Sequence, residues 1–389
     1  MAKILVVGGS LGGLMAANLL LREGHTVTVL EKAQRPHDGR GAGIVTHAEL
    51  LTALTRAGVT VDDTLGVQVQ TRVQLDASGA VVARLALPQL LSSWGRLHAL
   101  LGAAFAPEQC VLGRAVTQIE QGPDGVHIVC ESGDTYDADL LIASDGLRSA
   151  VRGQFAPAVQ PAYAGYIAWR GVCDEASLSR FTLDSVFEHF GFALLPAEQL
   201  IGYPVAGRGN TTARGQRRYN FVWYRPADAL ALQALLTDAD GQQHPQGIAP
   251  NKVSWRQIAA MREAARCLLA PQFAEIIEKT AQPFVQPIQD VMSTQLAFGR
   301  VALMGDAAFV ARPHVGMGVT KAAQDALALT EAIRVHGATP AALQAYQALR
   351  LPAGQAVVQR ARELGAYLQG RSHRDAAAVL RQTAVAPIH

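Results

Sequence analysis

Residues 3–32, KILVVGGSLGGLMAANLLLREGHTVTVLEK, leave the chain little freedom in how it begins to fold. Ile4, Leu5, Val6 and Val7 form the unbroken apolar run that a strand buried on both faces requires, and Gly8, Gly9, Ser10, Leu11, Gly12 and Gly13 follow directly. A helical face of Leu14, Ala17, Asn18 and Leu21 stops at Gly24, and a second strand, Thr26 to Leu30, ends on Glu31. Strand, glycine turn, helix, strand and acid in this order make a dinucleotide-binding βαβ unit. Gly8 permits the tight turn, Gly13 permits close helix packing, the helix N-terminus faces a pyrophosphate, and Glu31 accepts hydrogen bonds from a ribose. Ser10 stands where the pattern has its middle glycine. It is small enough to let backbone approach phosphate, and its hydroxyl can donate to it. A glycine turn without a ligand would use the same glycines, and the motif does not say which dinucleotide it serves.

The chain's 389 residues are enough for two domains with sizeable cores. Lys plus Arg is 34 and Asp plus Glu is 32, a formal charge of +2 that gives no reason to invoke nucleic acid or an anionic membrane as partner. Cys110, Cys130, Cys173 and Cys267 lie far apart with no C-x-x-C, so neither a metal knuckle nor a dithiol centre is expected and no metal site is assigned. The N-terminus runs straight into strand and glycine turn, and no apolar run has spanning length. A soluble cytoplasmic enzyme is the expectation.

After Lys32 comes a loop, AQRPHDGRGAG, whose glycines at 39, 41 and 43 suit backbone packed closely on a ligand and which carries Arg40. His47 stands where strand becomes helix, either as a helix-start residue or as an acid or base. Residues 67–87 alternate as a hairpin with its turn at Asp76 to Gly79, and Pro88 to Phe105 reads as a helix carrying Arg96, either a solvated charge or a phosphate contact. Strand-like runs at 111–120, 126–131 and 136–143 lead to ASDGLRSAVR, which puts Asp145 at the carboxyl end of an apolar strand, where open α/β sheets bind ligands. Residues 160–285 concentrate aromatics in strand-like alternation, Tyr203 and Tyr224 among them, with few charges between. These rings either fill a core or line a pocket. Near residue 299 nucleotide-domain style returns, with Gly305-Asp306 after an apolar strand, then Pro313, His314, and Gly316-Met317-Gly318 opening a long helix. Asp306 suits ribose or ribitol hydroxyls, and the amides at 316–318 present a positive helix end to an anionic ring edge. From residue 340 onward amphipathic helices are expected to pack on the outside.

GGSLGGL with Glu31, ASDGLRSAVR, and GDAAFVARPHVGMGVTKAAQDA together resemble the dinucleotide turn, D-G motif and G-D motif of the single-component FAD-dependent aromatic hydroxylases, the family with the para-hydroxybenzoate hydroxylase fold. The likeness runs in order through residues 1–330, and YIAWRG, YNFVWYR and ARPH look most like members that act on hydroxylated pyridines. It implies an α/β protein in which an FAD-binding doubly wound, glutathione-reductase-like domain carries an inserted mixed or antiparallel-sheet substrate domain. The FAD domain would take residues 1–70, 97–165 and 286–335, the substrate domain 71–96 and 166–285, and C-terminal helices 336–389. FAD would be held noncovalently by Gly8, Ser10, Leu11, Gly12, Gly13, Glu31, Lys32, Arg40, Arg96, Asp145, Gly305, Asp306, Pro313, Gly316, Met317 and Gly318.

In such enzymes NADH or NADPH reduces the flavin and leaves, O2 adds at flavin C4a, and the hydroperoxide passes OH to a small electron-rich ring. A hydroxylated pyridine or phenol is the expected substrate. His47, His314, Tyr203 and Tyr224 are the candidates to hold the ring or take its proton. No second G-x-G-x-x-G appears, as suits a transient nicotinamide. Two positions depart from the family pattern, Ser10 for glycine and Phe309 where a histidine often follows GDAA. Absence of W-x-W-x-I-P argues against a halogenase, and absence of C-x-x-C excludes a disulfide reductase. An FAD protein without hydroxylase activity and a flavin-dependent oxidoreductase of another type are the alternatives, and a homodimer is one open arrangement.

Overall fold

The computed structural model describes residues 1–35, 43–106, 109–369 and 376–385. The expected contact Arg40 lies outside them. Two large sheets organise the chain. Across the six-stranded sheet the order is Ala297–Phe298, Val301–Leu303, Leu140–Ala143, Lys3–Val7, Thr26–Glu31 and Cys110–Leu112. All pairings in it are parallel except the outer Ala297–Phe298 edge. Ile4, Leu5, Val6, Leu140, Leu141 and Ile142 are fully buried, in one core with helix Leu11–Arg22 and with Ile119 and Ile128 of a separate three-stranded sheet.

The nine-stranded sheet runs Phe309–Val310, Phe284–Met292, Ala162–Asp174, Arg218–Pro226, Glu198–Val205, Phe190–Leu195, Val67–Leu75, Val81–Ser93 and Gly43–Val45. Its one parallel pairing joins Phe190–Leu195 to Val67–Leu75. Side-chain parity divides it. Ile167, Trp169, Tyr219, Phe221, Trp223 and Leu200 pack on one side with the helices Trp255–Leu268 and Pro271–Lys279. Tyr166, Ala168, Val222, Tyr224, Ile201 and Tyr203 point the other way. The architecture is thus the expected one, a doubly wound nucleotide-binding sheet joined to a mainly antiparallel sheet.

Three local expectations are corrected. The segment Pro88 to Phe105 is not one helix: strand Val81–Ser93 passes through Pro88, and the helix starts at Trp94, where the Ser93 hydroxyl accepts from Arg96 N at 3.1 Å. Pro88 is tolerated because it falls at a register shift between Val69 and Thr71 of the partner strand, where the ladder asks for no amide. The run 111–120 is two strands, broken at Gly113 with φ 70°, which serve the six-stranded sheet and a separate three-stranded sheet.

The third correction concerns the C-terminal helices, which do not simply coat the outside. Gly354 lies so near Phe309 that a Cβ there would come within 2.2 Å of the ring, and residues 380–384 reach the aromatic face of the large sheet. There the fully buried Arg72 donates to the carbonyls of Leu380 and Thr383, both at 2.7 Å, and lies over the Phe190 ring at 4.8 Å. Burial pushes its guanidinium down to about 10. Arg72→Met would leave those carbonyls without donors, so the variant should lose about 2–3 kcal/mol of stability in urea unfolding and become clipped near residue 380 by trypsin. Equal urea midpoints and equal protection would show that the C-terminal segment docks without Arg72.

Candidate active site

At the end of strand Lys3–Val7 the backbone is pressed between neighbours. Gly8 has φ 104°, a Cβ on it would sit 2.4 Å from the Ser144 carbonyl oxygen, and one on Gly13 would sit 1.9 Å from the Gly8 carbonyl oxygen. Helix Leu11–Arg22 starts at Ser10, whose side chain makes no cap bond, so the first-turn amides and the Ser10 hydroxyl stay available to a ligand. The Glu31 carboxylate accepts from Gly9 N at 2.7 Å and Ala33 N at 2.8 Å, which ties the glycine turn to the second strand. Gly8, Ser10, Glu31, Lys32 and Asp145 line a cavity of about 550 Å³. Asp145 Oδ2 accepts from Val151 N at 3.3 Å, while Oδ1 is buried without a partner, and burial pushes the carboxyl pKa up.

A second cavity of about 330 Å³ shares Ser10, Trp94, Ser144 and Gly146 with the first, so the two form one elongated cleft. It passes Leu11, Gly12, Gly305 and Asp306, then Pro313, Gly316 and Gly318, and ends on the large sheet at Arg170, Tyr203, Tyr224 and Gln286. Asp306 opens into this space with 53% of its side chain accessible, yet protein encloses it. Desolvation raises its pKa, opposed by Lys321, whose fully buried Nζ lies 4.0 Å away. Gly316 adopts φ 66°, and helix Gly318–His336 begins immediately after. Met317 turns its side chain into a buried cluster with Val315 and Leu364, so only its backbone can face the cleft.

The four residues singled out for catalysis separate into two tiers. Tyr203 and Tyr224 line the cleft, and burial pushes the Tyr203 phenol up to about 12 and the Tyr224 phenol well above its ordinary value. The Tyr224 hydroxyl is buried with no partner. His314 stands behind Tyr224, with ring centroids 4.2 Å apart and its Nε2 2.8 Å from the Tyr166 hydroxyl. His47 precedes helix Ala48–Arg56, and its Nδ1 is 2.8 Å from Thr320 Oγ1. Burial lowers the His47 pKa, opposed by Glu49 and by the Ala384 backbone. Neither histidine is part of the cleft wall.

Arg96, for which a phosphate contact is expected, stands beside Thr64. Its guanidinium donates to Thr64 O at 3.1 Å and Thr64 Oγ1 at 2.6 Å and lines neither cavity. The same helix instead presents Trp94 to the cleft and His98 to Gly9, the two rings stacked at 4.5 Å and His98 Nε2 3.1 Å from Gly9 O. The expectation of few charges among the aromatics also misses a wall residue, Arg170. Parity could have found it, since positions 166, 168 and 170 share one face of their strand. Ala384 is a wall residue that no local pattern signals.

An NAD(P)-binding Rossmann-like domain model matches residues 6–45, and an FAD binding domain-like model matches residues 163–290. The chain is 30% identical over 369 residues to 2,6-dihydroxypyridine 3-monooxygenase of Paenarthrobacter nicotinovorans, covering 94% of this chain and 91% of that protein. This chain is a member of the FAD-dependent aromatic-ring monooxygenases. A FAD-dependent urate hydroxylase of Klebsiella pneumoniae is 28% identical over 378 residues, covering 93% of this monooxygenase and 89% of its own length. The solved structure of 2,6-dihydroxypyridine-3-hydroxylase from Arthrobacter nicotinovorans superposes with a TM-score of 0.90 at 29% identity, covering 97% of this monooxygenase and 96% of that chain.

The cleft fits the FAD that this monooxygenase family uses. It is long and continuous, its glycines give way where backbone must approach a phosphate, and it holds an unspent acceptor at Asp145. Glu31→Ala and Asp306→Ala should each weaken FAD binding by about 1–3 kcal/mol in fluorescence titrations of the apoprotein, because each removes an acceptor from an enclosed site. Unchanged affinity in either variant would show that its carboxylate does not touch the cofactor.

Proposed function

We propose that this enzyme uses NADH or NADPH and O2 to hydroxylate a small, planar, electron-rich heteroaromatic ring, with a hydroxylated pyridine as the best-supported class. The carrying observation is the cleft that runs from the dinucleotide turn at Gly8–Gly13 to a sheet face bearing Tyr203, Tyr224, Arg170 and Gln286. The relative that is 30% identical over 369 residues, and the solved structure with a TM-score of 0.90, are named for 2,6-dihydroxypyridine, and that name agrees with a small pocket walled by rings and hydrogen-bonding groups.

In this reading FAD supplies oxygen activation and redox chemistry when bound, and the chain's residues hold, orient and enclose. Glu31 accepts from the ribose, first-turn amides of helix Leu11–Arg22 face the pyrophosphate, Asp306 accepts from ribose or ribitol hydroxyls, and the backbone at 316–318 offers a helix N-terminus to the negative edge of the isoalloxazine. The transient nicotinamide needs no second glycine turn. Tyr203 and Tyr224 position the ring, and the packed sheet behind them excludes water from it.

At the sheet end of the cleft both phenols are held protonated and Arg170 is cationic, so the wall offers donors and no base. His47 and His314 then act as positioning residues, His314 by bracing Tyr224 and His47 by bracing the first turn of helix Gly318–His336 through Thr320. A ring that arrives ionised suits this wall, and a dihydroxylated pyridine such as 2,6-dihydroxypyridine loses a proton more readily than a simple phenol.

Steady-state oxidation of NADH and of NADPH should accelerate when 2,6-dihydroxypyridine is added, with a product one oxygen atom heavier. No acceleration by any hydroxylated pyridine would overturn the substrate class. His47→Gln and His314→Gln should each retain FAD and give nearly the same product per NAD(P)H as the unaltered enzyme. Continued NAD(P)H consumption with product lost to hydrogen peroxide would instead make that histidine the proton acceptor.

A further inference from the structure

Arg170 differs from the other arginines that hydrogen-bond in or beside the large sheet: Arg72 spends its guanidinium on Gln89 and the carbonyls of Leu380 and Thr383, and Arg218 donates to Ala206 O. Arg217 is paired with Glu175 at 2.7 Å, Arg225 with Glu198 at 3.0 Å and Arg312 with Asp290 at 3.0 Å. Arg170 has no carboxylate within ion-pair distance among the described residues. Its one bond is neutral, from Nη1 to Gln286 Oε1 at 2.8 Å, and its Nε is buried with no partner.

Its surroundings share the shortage of acceptors. Strand register places Ala168 opposite both Tyr224 and Gln286, so Arg170, two residues further along the same face, lies diagonally beside each. Tyr224 is fully buried and its hydroxyl also lacks a partner. Arg170, Tyr224 and Gln286 all line the cleft. A guanidinium in a partly dehydrated wall, beside a second unspent donor and without a counter-ion, is costly unless something negative arrives to meet it. Gln286 fixes one edge of the guanidinium fork and leaves the rest for a ligand.

We propose that Arg170 is the anion-binding residue of the ring pocket, meeting a deprotonated ring oxygen so that the enzyme takes its substrate as the ring anion. Tyr224 donates to the same oxygen or to its neighbour on the ring. The inference deepens the proposed function and rests on it. A wall of this kind selects by charge: an acidic hydroxylated heteroaromatic ring is held more tightly than a neutral ring of equal size. Selection of the anion also favours attack by an electrophilic oxygen, because an ionised ring is the more electron-rich form.

The FAD-reconstituted enzyme tests this through the change in flavin absorbance on ligand addition, which reports binding without turnover. In mildly alkaline buffer, 2,6-dihydroxypyridine is the anionic probe and 2-hydroxypyridine the neutral one. Arg170→Gln should raise the Kd for 2,6-dihydroxypyridine by about 10- to 100-fold, the loss expected for one charge-assisted bond, and leave the Kd for 2-hydroxypyridine within about twofold. Arg170→Lys should recover part of the loss, and FAD affinity should be the same in all three proteins. Equal Kd values for the anion in the Gln variant and the unaltered enzyme overturn the assignment. So does a parallel loss of both probes, which is what a purely structural role would give. If the unaltered enzyme binds neither pyridine, the hydroxypyridine reading fails, and the Arg170 assignment is decided by the same comparison with benzoate against benzamide. Selective loss of benzoate supports it, and equal binding overturns it.

Discussion

The contact on which the rest depends is the one between the backbone at Gly8 and the carbonyl of Ser144, so close that a Cβ would sit 2.4 Å from that oxygen. It sets the carboxyl ends of two adjacent parallel strands, Lys3–Val7 and Leu140–Ala143, at a fixed spacing. Both turns leaving those strands then face one space, and Ser10, Ser144 and Gly146 appear in both halves of the cleft for that reason. Any side chain at Gly8 would have to part the strands, and the cleft would open at its narrowest point.

Much of this was legible in the sequence where local rules apply. The βαβ unit was read from an apolar run, a glycine turn and a terminal acid, because each has a short-range physical cause. The helix opened by Gly318 was equally plain, since a left-handed Gly316 and a positive helix end leave a recognisable pattern. The aromatic segment gave a sheet, but its rings were left open between core and pocket. Both hold: Trp223 and Tyr219 belong to the core side, and Tyr203 and Tyr224 to the cleft side. One-residue parity decides between them, and it needs the register that only the assembled sheet supplies.

Other features were illegible because their causes are distant in sequence. The bonds of Arg96 to Thr64, from a turn far earlier in the chain, cannot be read from its own helix. Pro88 looked like the start of a helix, but a bulge in the partnering strand accommodates it. Arg170 carries no sign in the sequence that its guanidinium meets only Gln286 and the cleft, which the assembled sheet shows. In each case the residue's type was visible and its partner was not.

The two ends of the cleft differ in how the chain must travel to build them. Glu31 and Gly9, which shape the dinucleotide end, are 22 residues apart, whereas Arg72 and Leu380, which dock the segment carrying the wall residue Ala384, are 308 apart. Closing the longer loop carries the greater entropic cost and comes later in folding. The turn that opens the cleft is thus held by a contact within one βαβ unit, while the wall at its far end waits on a contact that spans most of the chain.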